Sequence, residues 1–437
     1  MNKLLSIPYW AFLALLVYMP FHIFLSQWLS TYTGGLEVWK AWKDVLLFFA
    51  VVASLLLVYI KNGFKDKFFW AITGLSVLYV LFHFLIWAIN PDIEKNPALL
   101  ATVYNCRLFG YLILGFATAL LVKSHVPSLT SQVLTKTIFK IVLVVSTIVC
   151  LLALLQWFLP KDILTHFGYS VERGVKPNFF IDDKPDLPRA FSTLRDPNSL
   201  GAYLILPITL LSAAWFRLKS ARMLIGGLLA LHGLILFLTF SRSALLGAVL
   251  AVATVLFLQY KAQATRFLKK HWLYIVILIA VFLASFFLAR DNYVVQNVVL
   301  HADENTQLAD PNEKRIAFYQ ATAKSIINQP IGHGPGTAGL VSIQTDKVVL
   351  TENYFLQIAY EIGLLGLLLL LYLMYKILKR LYQRQDFYGR VMVAGFVGIT
   401  FSNLLLHTWS NEAVAAQWWL LAGVLLLLSG KKSAKSS

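Results

Sequence analysis

Along this chain apolar residues come in long unbroken blocks separated by short polar stretches. The run from Trp272 to Ala289 does not alternate, so it lacks the two-residue period of a barrel strand. Many blocks approach or exceed the roughly 20 residues that carry a helix across about 30 Å of hydrocarbon. With no water there to satisfy backbone N–H and C=O groups, a spanning segment must pair them internally. The blocks predict helical spans at 7–28, 42–60, 68–89 and 99–122, then at 137–159, 197–216, 223–240 and 243–260. The last four fall at 272–289, 353–375, 390–406 and 414–429. The first resembles a signal peptide after Lys3, but it is too long and lacks a small-residue cleavage site, so it reads as a retained span. The expected fold is an all-α polytopic membrane protein, one membrane domain over 1–437 with about 12 transmembrane helices.

Composition agrees: 58% of the residues are hydrophobic and only 14% charged, against about a quarter charged in soluble domains. The formal net charge of +17 has a side. Lys and Arg gather at 61–67, 217–222, 261–270, 376–384 and 431–435, which the positive-inside rule assigns to the cytoplasm. An even span count puts both termini there, and two long loops, 160–196 and 290–352, fall on the extracytoplasmic side. No basic soluble domain accompanies the charge, which argues against nucleic acid as a partner. Cys106 and Cys150 lie inside apolar runs and read as small buried hydrophobes, too few for a disulfide or metal framework.

The loops hold the chemistry. In the first, Pro185, Pro188 and Pro197 favour extended or turn geometry. Asp196 and Pro197 form a helix start, with Asp196 as N-cap. Asn198 is then either a helix-start residue or a ligand contact, and Arg189 and Arg195 are either solvated or paired with nearby aspartates. Arg242 stands between two spans with almost no loop, beside Ser241, Ser243 and Ala244. It is either a snorkelling helix-end residue or a cation with room for a ligand, and the second reading is favoured. Arg107, inside a span, serves either a buried pair or a substrate.

In the second loop Asp310, Pro311 and Glu313 form a capped start for an amphipathic helix over 311–328. Ile316, Tyr319, Ala323, Ile326 and Ile327 make its expected apolar stripe. Arg315 sits in the first turn against the helix dipole, a small cost that asks for another reason. After Pro330, Gly332, Gly334 and Gly336 flank His333 in a tight turn. Glu352 and Asn353 open the tenth span, Glu361 follows two turns later, and Gly363 and Gly366 permit close helix approach. Taken alone, Glu352 reads as the N-terminal capping carboxylate.

The outward polar groups are thus Arg189, Arg242, Arg315, Glu352, Asn353 and His333. Guanidiniums at the mouth of an apolar bundle suit a polyanion carried on a lipid, because they bind phosphate oxygens bidentately and stay charged. A lipid-linked diphosphate sugar is such a molecule. Transfer of its sugar needs charge stabilisation on the leaving diphosphate and a base for the acceptor hydroxyl. No outward Asp, Glu and His set has metal-ligand spacing.

Four stretches match a family in order: R-A-F-S-T-L-R-D-P-N-S-L-G-A-Y at 189–203, T-F-S-R-S-A-L-L at 239–246, K-R-I-A-F-Y-Q-A through P-I-G-H-G-P-G at 314–336, and E-N-x9-G-L-L-G at 352–366. The chain resembles the O-antigen ligase and O-antigen polymerase superfamily of bacterial polytopic membrane glycan transferases. The resemblance implies transfer of a glycan from an undecaprenyl-diphosphate-linked oligosaccharide donor to a glycan, lipid or protein acceptor. It implies an inverting reaction, without metal or other cofactor, at the extracytoplasmic face of the bacterial inner membrane. The family's two functional arginines fall on Arg242 and Arg315; Arg189, Asn198, Asn353 and His333, taken from the outward polar groups, are the expected substrate contacts. Where family ligases have a histidine in H-N-x9-G-x-x-G, this chain has Glu352, a carboxylate able to act as general base. Either His333 or His301 is open to take over the histidine's part. Repeat-unit polymerisation remains an alternative. So does a transporter or flippase, against which stand the lack of a visible half-to-half repeat and a polar investment in outer loops rather than at mid-bilayer.

Overall fold

The computed structural model describes residues 3–125, 131–181, 184–288 and 311–427. Asp310 and His301 lie outside the described residues. The elements run α1 (Lys3–Tyr18), α2 (His22–Thr33), α3 (Leu36–Asn62), α4 (Lys67–Ile89), α5 (Lys95–His125) and α6 (Ser131–Phe158), then strands β1 (Phe180–Ile181) and β2 (Lys184–Pro188). They continue as α7 (Pro197–Arg217), α8 (Arg222–Leu238), α9 (Arg242–Gln259), α10 (Lys261–Leu288), α11 (Pro311–Asn328), α12 (Tyr354–Gln383), α13 (Phe387–Asn403) and α14 (Glu412–Leu427). Among the described residues the fold is all-α apart from one small antiparallel pair in the first long loop, built from the Pro-rich stretch.

Nine described segments are long and apolar enough to cross a membrane. The other three expected spans coincide with α10, α13 and the shorter apolar α14. The first expected span is broken into α1 and α2 by a 3-10 turn at Met19–Phe21, because Pro20 has no N–H to continue the α-helical ladder. Elsewhere side chains set the helix starts. The carboxylate of Asp66 accepts the N–H of Phe69, that of Asp196 accepts Ser199, and that of Asp386 accepts Gly389. These bonds satisfy donors that a helix start leaves orphaned.

The core centres on the last helix. From Ala413 to Leu426 every residue of α14 is buried, as expected of a helix that is apolar all round. Its closest partner is α5, and the contact is backbone on backbone. A Cβ added at Gly423 would lie 2.2 Å from the Leu112 carbonyl oxygen, and one at Gly115 would lie 2.2 Å from that of Leu420. A second such seam joins α9 to α13 at Gly247 and Gly398. Small residues let membrane helices approach where water supplies no hydrophobic drive.

The apolar stripe expected on α11 is redrawn. Ile316, Ala323 and Ile327 are exposed, whereas Thr322 and Ile326 are buried and Tyr319 and Ser325 partly so. The buried face is chosen by hydroxyl groups that reach backbone and side-chain partners on the bundle, and helical spacing of apolar residues does not report that.

Substituting Gly423→Val should push α14 off α5, lowering stability by about 1–3 kcal/mol. Thermal unfolding of the solubilised protein checks this, and an unchanged Tm would mean the seam is not tight.

Candidate functional site

Asn353 is the N-cap of α12. Its backbone is extended, and its Oδ1 accepts the N–H groups of Phe355 and Leu356 at 2.8 and 3.3 Å. Its Nδ2 donates to the Leu404 carbonyl at 3.1 Å, just past α13. The Tyr319 hydroxyl of α11 donates to that same carbonyl at 2.7 Å. One carbonyl oxygen therefore clips three elements together. Capping thus belongs to Asn353, correcting the expectation for Glu352: the short amide folds back onto the first turn from the N-cap position. Glu352 stands one residue outside the helix, partly exposed, with φ of +51°. A non-glycine residue pays for that conformation, and such strain gathers where geometry is needed for function.

Next to it, the buried Thr351 shares a 2.8 Å hydrogen bond between its Oγ1 and His407 Nε2. Burial pushes the His407 imidazole down to about 4, so it is neutral at pH 7. Sequence reasoning passed over His407 because it lies 54 residues beyond Asn353. Its one visible signal was a histidine in the connection after an apolar run.

Arg189 donates from Nε to the Thr239 carbonyl at 2.9 Å, and from Nη2 to Asn198 Oδ1 at 3.1 Å. It thereby ties the first loop to the end of α8 and the first turn of α7. Arg242, partly buried, opens α9 three residues after Thr239. The antiparallel seam of Gly247 with Gly398 sets its level. Stepping five residues back along α9 and five forward along α13 puts Arg242 level with Asn403, beside the Leu404 carbonyl. Arg189, Asn198, Arg242, Glu352 and Asn353 thus share one end of the bundle. Arg315 belongs to α11, one turn before Tyr319; its side chain lies outside the described residues.

His333 is placed elsewhere, deeper along α12. That helix is broken at Ile362 and Gly363, the latter at φ +73° and ψ 177°. The loop 330–336 fills the break. His333 N–H donates to the Tyr360 carbonyl and Gly334 N–H to that of Glu361, each at 2.8 Å, while Leu364 N–H donates to the Pro330 carbonyl at 2.9 Å. The His333 ring stacks on Tyr360 at 4.0 Å. Its Nδ1 faces the Tyr360 carbonyl at 3.2 Å and its Nε2 faces Ser325 Oγ at 3.0 Å. Partial burial lowers its pKa, aided by Lys347 and opposed by the bond to the Tyr360 carbonyl. Both ring nitrogens are thus engaged in holding the loop. Below them Glu361, fully buried, accepts from Asn105 Nδ2 at 2.8 Å and from Gly336 N–H at 3.1 Å.

Arg107 has the buried-pair arrangement. Its Nη1 meets Glu412 Oε1 at 2.8 Å and its Nη2 the Ser410 carbonyl at 2.5 Å. Lys43, also buried, lies 3.3 Å from Glu412 and 2.6 Å from Asp44. Of the two alternatives open for Arg107, the structure shows the buried pair. The charges sit on α3, α5 and α14, far apart in sequence, and pair only in space. Among the described residues, no three His, Cys, Asp or Glu side chains gather as metal ligands.

Residues 225–371 match the family model described as O-Antigen ligase, about a third of the chain. The match supports the O-antigen ligase superfamily for that stretch. The matched stretch includes Arg242, Arg315, His333, Glu352 and Asn353, while Arg189 and Asn198 precede it. Among curated proteins none matches the chain.

Two outcomes follow. A Cβ at Gly363 would lie 2.2 Å from the Ile331 carbonyl oxygen, in a conformation L side chains avoid, whereas one at Gly74 meets nothing within 4 Å. Gly363→Ala should therefore cost about 1–3 kcal/mol, and Gly74→Ala should be near neutral; equal Tm values for the two variants would refute the loop-in-break packing. His407 is harder to protonate folded than unfolded, so its contribution to stability is present at neutral pH. That contribution is lost as pH falls from about 6.5 toward 4. His407→Gln should flatten the fall of Tm across that window, and an unaltered slope would remove His407 as its source.

Proposed function

We propose that this protein is an O-antigen ligase-like membrane glycosyltransferase, moving a glycan from an undecaprenyl-diphosphate-linked donor to an acceptor at the extracytoplasmic face of the inner membrane. The observation that carries the reading is convergence. The Arg189–Asn198 pair, Arg242 and the Glu352–Asn353 helix start, drawn from separate parts of the chain, lie at one end of a bundle of which residues 225–371 match the O-antigen ligase family. The lysine- and arginine-rich connections lie at the other end, which supports an extracytoplasmic site and cytoplasmic termini.

In this reading Arg242 and Arg315 hold the diphosphate and balance the charge that develops on it, with no metal required. Arg189 and Asn198 fix the wall beside Arg242, and Asn353 sets the direction in which Glu352 leaves the helix. Glu352 takes the proton of the acceptor hydroxyl as its oxygen attacks the anomeric carbon. The carbon–oxygen bond to the diphosphate breaks on the opposite face, which inverts the centre. His333 contributes by holding the loop under α12, which keeps the mouth in register.

A transporter of lipid-linked sugars is the second reading. Broken helices and buried ion pairs are found in such proteins, and α12 and the Arg107–Glu412 pair supply both.

With purified protein, lipid-linked donor and acceptor, covalent product should form and resolve on a gel. Arg242→Ala and Arg315→Ala should each reduce the rate about 10²-fold or more, and Glu352→Gln by about 10²–10⁴-fold, with folded protein yield unchanged. Flux into proteoliposomes without any product would favour the transporter. Products one repeat longer would mark a polymerase, and whole-chain transfer a ligase.

A further inference from the structure

At the end of the bundle opposite Asn353 the chain forms a cavity of about 370 Å³, within the ~300–1,000 Å³ of typical small-molecule sites. It lies where α7 and α9 end and where α12 turns into α13. Its wall carries the guanidiniums of Arg217 and Arg390, the amides of Gln259 and Gln385, and one carboxylate, Asp386.

That carboxylate is already committed. It caps α13 through the Gly389 N–H at 2.8 Å and pairs with Arg384, which also donates to the Leu425 carbonyl at 2.6 Å. Arg217 is held over the Phe387 ring, 5.1 Å from its centroid. Among the described residues, neither Arg217 nor Arg390 has a carboxylate partner. Arg390 is more than a helix-end residue snorkelling to water, since its Nε is buried without a hydrogen-bond partner. In the turn that carries Gln385 the backbone stands at φ +53°, and the Gln385 amide donates to the Tyr382 carbonyl at 2.8 Å.

Two guanidiniums without counter-ions and two amide side chains, supplied by α7, α9 and the α12–α13 turn, surround space that one anion can fill. A forked guanidinium matches two oxygens of one anion, so a pair of forks calls for more acceptor oxygens than a carboxylate has. A phosphate has them. Phe216 and Tyr260, with ring centroids 6.2 Å apart, lie beside the cavity at the ends of α7 and α9, the depth at which aromatic residues mark the membrane interface. Basic pockets between membrane helices at that depth receive lipid headgroups. We propose that this cavity is a phosphate-binding site, separate from the transfer site and filled by the headgroup of an anionic phospholipid.

Native mass spectrometry of the full-length protein in detergent tests this with three probes: phosphatidylglycerol, phosphatidylethanolamine and inorganic phosphate. The expected result is one phosphatidylglycerol retained per chain in preference to phosphatidylethanolamine, and retention weakened about tenfold or more in Arg217→Gln/Arg390→Gln. Arg217→Lys/Arg390→Lys keeps the charge at the helix ends but loses the forks, and should bind at an intermediate level, which guards against a glutamine variant that fails to fold. Protection by inorganic phosphate alone, lost in the same variants, would keep the phosphate site and reassign its source to the aqueous anion. Equal retention of phosphatidylglycerol by wild type and both double variants, or no preference over phosphatidylethanolamine, would overturn the proposal.

Discussion

The structure turns on a debt of backbone hydrogen bonds. Where α12 breaks at Ile362 and Gly363, carbonyls and an N–H lose their helical partners inside a bundle that reads as membrane-embedded. Leaving such groups unpaired in hydrocarbon costs several kcal/mol each. The loop 330–336 settles it with N–H groups from His333 and Gly334 and a carbonyl from Pro330. Its glycines are there because backbone must meet backbone: a Cβ at Gly332 would lie 2.6 Å from the Gly363 nitrogen. Everything at the mouth inherits this contact. It fixes the depth of the loop, hence the seat of α11, hence the reach of Tyr319 to the carbonyl shared with Asn353.

Much of this was legible in the residues. Long apolar blocks located the helices, though α10 begins 11 residues before its expected start and α12 ends 8 after its expected end, and Asp196 and Pro197 marked the start of α7, because both signals are local. The cap of α12 was assigned one residue early. Glu352 and Asn353 are both plausible there, and the choice depends on a carbonyl 51 residues away. The kink escaped notice for a related reason: Gly363 looked like a helix-contact glycine, and only the loop that enters beside it reveals the break. His333 drew attention as a polar residue in a glycine turn, yet a histidine whose two nitrogens meet a carbonyl and a serine cannot be told from a ligand contact in one dimension. The charges of Lys43, Arg107 and Glu412 lie on three helices, and no spacing rule connects them.

The two ends of the bundle divide their polar groups differently. At the mouth, Arg189 is bound to protein carbonyl and amide oxygens, and the strained Glu352 follows Thr351, whose hydroxyl meets a neutral histidine. In the interior, Arg107 and Lys43 face Glu412 and Asp44, two cations against two carboxylates, with hydrogen bonds to backbone carbonyls filling out the set. Buried ions tolerate desolvation only when paired in this way. At the opposite end, Arg217 and Arg390 have a cavity where a partner would stand. One residue type therefore serves as brace, lock and receptor according to what surrounds it.

The burial of α14 also sets an order on the making of the protein. This helix, buried from Ala413 to Leu426, comes after every other described element, while its main partner α5 emerges roughly 300 residues earlier. Until α14 arrives, Gly115 and its neighbours have no backbone to pack against, and the Arg107 and Lys43 cations wait in the bilayer without the Glu412 carboxylate. Early spans must therefore stay loosely gathered, shielded by lipid or by the insertion machinery, until α14 slides in. Assembly of this bundle waits on α14, and a ribosome that stalls before residue 412 leaves behind an unfinished shell with unpaired charge inside it.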